Sequence, residues 1–199
     1  MEIERIIWIY HAFESFDTKM IDFFELENIK SWKEYNPHCQ VIILHPSNLH
    51  LYIDYINLED ETAIGLNVLY NFGGIFTTSS VRCQKSMSMM NFRGGIWLFG
   101  LYNKEGGVIC LPWFIISIPE NEIIKRWLDY CILKGNKSNV KFKVNDVIHD
   151  LAYSDHDFDY LWSEHVKLEN GRKCYAESRK KYLDNIDNAK GCALLFIDK

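Results

Sequence analysis

The chain has 199 residues, of which 48% are hydrophobic and 15% aromatic, enough to build the core of one globular domain. Its formal net charge of −5 argues against a broad cationic surface for phosphates, so nucleic acid is not an expected partner. Neither a run of roughly 18 apolar residues nor a secretory signal is recognisable, so we predict no transmembrane segment and a cytoplasmic location, with peripheral membrane contact left open.

Six cysteines are scattered along the chain without any C-x-x-C pair, which favours buried free thiols over a zinc or redox site. They are Cys39, Cys83, Cys110, Cys131, Cys174 and Cys192.

The first part of the chain predicts a strand, a helix and a second strand. A run of β-branched and aromatic side chains predicts the first strand over about residues 5–10. Apolar residues at helical spacing predict a helix over 18–35, which Asn36 and Pro37 end. A short apolar run at 41–44 predicts the second strand, and this order is typical of a parallel sheet.

A second helix and a third strand meet at a pair of glycines. Acidic residues at 59–61 precede an apolar segment at 63–70, as expected where a helix dipole favours negative charge. Gly73 and Gly74 end this helix, and residues 74–81 predict the third strand.

The second half of the chain predicts antiparallel pairing and further helices. Residues 95–100 and 107–110 favour a hairpin around the polar segment 103–106. Helices are predicted from Pro119 through Cys131 and over about 144–153. The acidic segment 154–159 lacks the spacing of a calcium-binding loop and is interpreted as a helix-capping turn.

Five segments in this order resemble motifs of the capsular polysaccharide synthesis proteins, which are similar to the family-32 glycosyltransferases. They are IERIIW at 3–8, SWKEYNP at 31–37, LYNFGGI at 69–75, WFIISIPEN at 113–121 and NDVIHD at 145–150. The resemblance implies an α/β fold of the GT-A type, a Rossmann-type mixed sheet flanked by helices. It further implies one glycosyltransferase-like domain over 1–199, with a nucleotide-sugar half at about 1–85 and an acceptor half at about 86–199.

The activity implied by the resemblance is transfer of a sugar from a nucleotide-diphosphate donor to a glycan or polysaccharide acceptor. In this family a D-x-D motif holds Mn²⁺ or Mg²⁺, but its two acidic positions fall here on Thr78 and Ser80. The family's S-D-x-x-R helix motif is replaced by Glu61, Thr62 and Gly65. Neutral hydroxyls are weaker ligands than carboxylates, so metal affinity should be low. The alternative is a degenerate transferase fold that binds glycan, nucleotide or a partner without turnover.

The expected donor site follows from the same resemblance. Trp8 and Tyr10 would contact the base, although both could equally belong to the core. The diphosphate would lie near the glycine pair and the hydroxyls beyond it, which could instead form an ordinary strand end. Glu61 is a candidate donor ligand or simply a solvated residue at a helix start. The donor candidates are Trp8, Tyr10, Glu61, Gly73, Gly74, Thr78, Ser79 and Ser80.

Acceptor chemistry is assigned to a pair of residues on the last predicted helix. Asp146 and His149 lie three positions apart and therefore share one helix face, where they could supply a carboxylate and an imidazole as catalytic groups. A plain surface position is the alternative for both.

Overall fold

The computed structural model describes residues 6–13, 21–54, 60–87, 95–102, 108–135, 144–170, 175–176 and 194–197. Its strands are β1 (Ile6–Tyr10), β2 (Gln40–Leu44), β3 (Gly74–Thr78), β4 (Val81–Cys83), β5 (Ile96–Tyr102), β6 (Val108–Ser117), β7 (Val166–Asn170), β8 (Tyr175–Ala176) and β9 (Leu194–Ile197). Its α-helices are α1 (Phe23–Tyr35), α2 (Glu61–Phe72), α3 (Glu122–Gly135), α4 (Val144–Ser154) and α5 (His156–His165), and a 3₁₀ helix spans Pro46–Leu51.

Two sheets organise these elements. The central sheet has the strand order β2-β1-β3-β6-β5-β7, and the smaller one has the order β4-β9-β8. In the central sheet β1 pairs in parallel with β2 and β3, whereas β6 is antiparallel to both β3 and β5. The predicted parallel first half and the antiparallel pairing of 95–100 with 107–110 are therefore confirmed, while the turn at 103–106 falls outside the described residues. Antiparallel pairing does not extend through the whole second half, because β7 pairs in parallel with β5 and β8 pairs in parallel with β9.

The two faces of the central sheet are covered by different helices. Side chains alternate along each strand, so Trp8 and Phe76 pack against α2 and α3 on one face. Ile7, Ile9 and Ile75 point the other way and pack with residues of α1. We call these the α2 face and the α1 face.

Gly65 allows α2 to lie close to the sheet. A Cβ atom at this position would lie 2.5 Å from ring atoms of the fully buried Phe76 on β3, so any side chain would push the helix away. Glycine in a helix interior costs about 1 kcal/mol relative to alanine. The close approach of α2 to Phe76 explains why the helix nevertheless carries it.

Several element boundaries differ from the sequence prediction. Strand β6 runs to Ser117 instead of ending at 110, and α3 begins at Glu122 instead of Pro119. The predicted strand over 74–81 is divided, because β3 ends at Thr78 and a turn leads into β4, which pairs with β9 instead of the central sheet. Helix α1 begins at Phe23 instead of residue 18, since the Asp22 carboxylate accepts a hydrogen bond from the Phe24 amide and caps the helix there. Among the described helices, none has both the length and the apolar character required to cross a bilayer.

The structure describes the side chains of three cysteines, and all three are free thiols. Cys83 is buried, whereas Cys39 and Cys131 are half-buried. Burial raises the pKa of Cys83 to about 11 and the pKa of Cys131 to about 12. Thiolate is the reactive form, so both should be nearly inert at neutral pH.

Thiol alkylation tests this burial. We expect iodoacetamide at pH 8 to modify Cys83 and Cys131 much more slowly in the native protein than in urea, because the raised pKa values leave little thiolate. Peptide mass spectrometry after a time course measures the rate at each cysteine. Equal rates in the native and unfolded protein would contradict the buried positions.

Candidate functional site

The carboxyl ends of β1 and β3 meet at one edge of the central sheet. The parallel register places Tyr10 beside Thr78 in the neighbouring strand. The chain then passes from β1 into His11 and from β3 into the turn at Ser79 and Ser80. We call this group of five residues the carboxyl edge. Ligands of open α/β sheets bind in this kind of place, beyond the carboxyl ends of parallel strands.

One side of the carboxyl edge lies on the α2 face. Alternation along the strands puts Tyr10 and Thr78 on this face together with Trp8 and Phe76. Glu61 lies at the start of α2 and is exposed. Burial raises the pKa of the Tyr10 phenol, and the negative charge of Glu61 raises it further. The structure thus brings Tyr10, Thr78 and Glu61 to the same side of the sheet.

The other side of the carboxyl edge is a buried polar cluster on the α1 face. The His11 Nδ1 atom lies 3.2 Å from Ser79 Oγ and 3.4 Å from an oxygen of Glu25 on α1. Asn28 of α1 donates a hydrogen bond of 3.1 Å to the Ser79 carbonyl, and the Ser79 amide donates to the Tyr10 carbonyl. Sequence reasoning missed this cluster. Its only signal was an acid and an amide on the helix face that also buries Ile29 and Trp32.

The three hydroxyls at the carboxyl edge differ in accessibility. Thr78 is 5% exposed and Ser79 6% exposed, whereas Ser80 is half-buried. The Ser79 hydroxyl contacts His11, so this side chain faces the protein interior. Of the predicted diphosphate contacts, Ser80 therefore presents the most accessible hydroxyl.

Trp8 belongs to the core. It is 2% exposed, its indole N–H donates to the Gly73 carbonyl at 3.0 Å, and its ring packs against Tyr52 and Phe72. A nucleobase could not stack on a ring enclosed in this way. The structure thus corrects the expectation that Trp8 contacts the base and favours the core alternative.

The glycine pair and the hydroxyls lie at opposite ends of β3. Gly73 ends α2 with φ 65°, and a Cβ there would lie 2.6 Å from Pro119 Cδ. Gly74 begins β3, so it lies about 13 Å from Thr78 along the strand. The two glycines form the connection between α2 and β3. This corrects the expectation that a single diphosphate contacts the glycine pair and also Ser80.

The two residues predicted to act on the acceptor lie on α4. Asp146 and His149 occupy this helix at positions one turn apart, but their side chains lie outside the described part of the structure. Their role stays a prediction. The acidic segment at 154–159 does cap a helix as predicted, because the Asp155 carboxylate accepts from the Phe158 amide at the start of α5.

The described residues do not fit a strong Mn²⁺ or Mg²⁺ site. Such cations favour carboxylate oxygens, and Thr78 and Ser80 offer neutral hydroxyls. Elsewhere in the described ranges, no group of three or more histidine, cysteine, aspartate or glutamate side chains is placed to hold a metal ion.

Comparison with solved structures identifies the fold. One similar structure is the PaToxG glycosyltransferase, with 16% sequence identity and a TM-score of 0.53 over 96% of this chain and 78% of that chain. Another is a glycosyltransferase involved in the glycosylation of the major capsid of PBCV-1, with 11% identity and a TM-score of 0.57 over 96% of this chain and 91% of that one. No protein-family model and no curated protein sequence matches the chain.

These similarities confirm the predicted fold class, a mixed α/β sheet flanked by helices as in glycosyltransferases. The narrower resemblance to capsular polysaccharide synthesis proteins stays a prediction.

The burial of Thr78 predicts an asymmetric response when carboxylates are introduced at the carboxyl edge. Thr78→Asp would bury an unpaired charge on the side of the sheet that already carries Glu61, and should lower the free energy of unfolding by about 3 kcal/mol. Ser80→Asp should change it by less than about 0.5 kcal/mol because Ser80 is partly accessible to water. Urea unfolding measures both values.

Thr78→Asn is the matched control, since asparagine has the size of aspartate without its charge. If Thr78→Asn and Thr78→Asp destabilised the protein equally, size and not buried charge would be responsible.

Proposed function

We propose that this protein is a glycosyltransferase that moves a sugar from a nucleotide-diphosphate donor to a hydroxyl of a glycan or polysaccharide acceptor. One observation carries the proposal. On a glycosyltransferase fold, the parallel register sets Tyr10 beside Thr78 at the carboxyl edge, and a polar turn follows immediately. This is where an open α/β sheet offers room for a nucleotide.

The donor is assigned to the accessible groups of that edge. The Ser80 hydroxyl would donate a hydrogen bond to a diphosphate oxygen, because it is the most accessible of the three neighbouring hydroxyls. Tyr10 would contact the nucleoside, since its half-buried ring lies at the end of β1. Glu61 is placed on the same side and would accept hydrogen bonds from sugar hydroxyls.

Arg82 is a candidate cation for the diphosphate that the sequence analysis overlooked. It follows Ser80 by two residues, within about 7 Å along an extended chain. Its neighbours in β4, Val81 and Cys83, are buried in the core of the α1 face, so the half-buried Arg82 side chain points to the other face of the strand. A guanidinium binds two phosphate oxygens at once and would stabilise the leaving diphosphate.

The proposed reaction is direct displacement at the anomeric carbon. The acceptor oxygen forms a bond to this carbon, the bond from the carbon to the diphosphate oxygen breaks, and the nucleoside diphosphate leaves with that electron pair. The acceptor hydroxyl loses its proton to a base, for which Asp146 and His149 on α4 remain the candidates.

A panel of nucleotide sugars tests the function. We expect one of UDP-, GDP- or ADP-linked sugars to bind in calorimetric titration, and slow hydrolysis of the same donor to appear by chromatography. Each titration is run with and without Mn²⁺, and binding should depend little on the ion because the edge offers neutral oxygens. A folded sample that binds no member of the panel would contradict the proposal.

A non-catalytic role is the second candidate. Neutral side chains at both metal positions and the burial of Thr78 favour a protein that binds a nucleotide or glycan without turnover. Tight binding without hydrolysis or transfer to any acceptor offered would support this alternative over the enzyme.

The assignment of Arg82 gives a separate prediction. Arg82→Met keeps much of the side-chain volume but removes the charge, and should weaken binding of the nucleoside diphosphate about tenfold while leaving nucleoside binding unchanged. Lys85→Met is the matched control, because Lys85 is an exposed cation on the same segment. Equal losses in both variants would indicate general electrostatic attraction instead of a specific contact.

A further inference from the structure

Four polar side chains are buried together behind the carboxyl edge. His11, Glu25, Asn28 and Ser79 are each between 1% and 6% exposed, and we call them the His11 cluster. They come from the end of β1, from α1 and from the turn after β3. Burying such groups is unfavourable unless they are hydrogen-bonded to one another, so their arrangement constrains all three elements.

Ser79 is the residue on which these contacts converge. Its amide donates to the Tyr10 carbonyl at 2.9 Å, and its carbonyl accepts from Asn28 at 3.1 Å. Its hydroxyl lies 3.2 Å from His11 Nδ1. Each of the three polar groups of Ser79 therefore contacts a different residue of the protein. A two-residue surface turn does not need this many hydrogen bonds in order to form.

The orientation of His11 is set from the other side. A Glu25 oxygen lies 3.4 Å from the same Nδ1 atom. A carboxylate cannot donate a hydrogen bond, so we assign the proton to Nδ1, which lies near the Glu25 carboxylate and can donate to the Ser79 hydroxyl oxygen. The Phe13 ring packs 5.0 Å from the imidazole and limits its rotation. His11 thus presents a fixed donor to the turn.

We propose that His11, oriented by Glu25, is a positioning residue that fixes the Ser79–Ser80 turn for binding of a nucleoside diphosphate. The inference rests on the proposed function and deepens it. Ser80 follows directly after the residue that His11 holds, so its hydroxyl is placed before the ligand arrives. A ligand that meets an ordered turn does not have to supply the free energy of ordering it.

The test compares two substitutions at His11. His11→Leu removes the donor, whereas in His11→Asn the amide nitrogen takes the place of Nδ1 and can still bond Ser79 Oγ. Hydrogen exchange of the amides at 79–83, measured without ligand, reports the order of the turn. Titration with UDP, GDP and ADP, with and without Mn²⁺, reports binding.

We expect His11→Leu to speed exchange at 79–83 and to weaken nucleoside diphosphate binding about tenfold, and His11→Asn to restore most of both. Asn67→Ala is the matched control: Asn67 is also buried and polar but bonds Asn71 within α2 instead of Ser79, so exchange at 79–83 and binding should be unchanged. If His11→Leu does not fold, Ser79→Ala removes the same contact with less disturbance of packing and should give the same two changes.

The outcomes separate this inference from the proposed function. Binding by His11→Leu at the wild-type strength, or equal weakening in His11→Leu and His11→Asn, would overturn the positioning role while leaving the function intact. Wild-type protein that binds none of the three nucleotides would overturn the function and with it the donor-binding role, and the exchange data would still show whether His11 fixes the turn.

Discussion

The parallel pairing of β1 with β3 is the interaction on which the candidate site depends. Hydrogen bonding between these strands sets Tyr10 against Thr78 and so brings residues distant in sequence to one edge of the sheet. The same pairing sends side chains alternately to two faces, and each face has its own helix. Accessible groups gather on the α2 face, whereas the contacts that hold the turn are buried on the α1 face.

Helix α2 is fixed at both ends and in its middle, which fixes the position of β3 in turn. Asp60 caps its start by accepting hydrogen bonds from the amides of Thr62 and Ala63. Gly65 lets its middle rest on Phe76, and Gly73 ends it against Pro119. The glycine pair therefore affects the candidate site indirectly. It determines where β3 begins, and so it determines the position of Thr78 at the other end of the strand.

Local sequence identified most elements up to α4, but it missed α5 and β7 to β9 and did not give the direction in which side chains point. The β-branched run before His11 and the apolar spacing of α1 identified both elements, and the hydroxyls after β3 did lie at its carboxyl end. The sequence left the core and the donor site as equal alternatives for Trp8, because its placement depends on which face of the sheet α2 covers. The pairing of His11 with Glu25 was equally inaccessible, since it arises only when α1 packs against the end of β1.

The pairing of β4 with β9 has a consequence for how the protein is made. Val81 pairs with Phe196, so the partner strand of β4 lies on the order of a hundred residues further along the chain. During synthesis β1, α1 and β3 leave the ribosome long before that partner. The sheet that contains Arg82 can therefore be completed only after residues 194–197 have been synthesised.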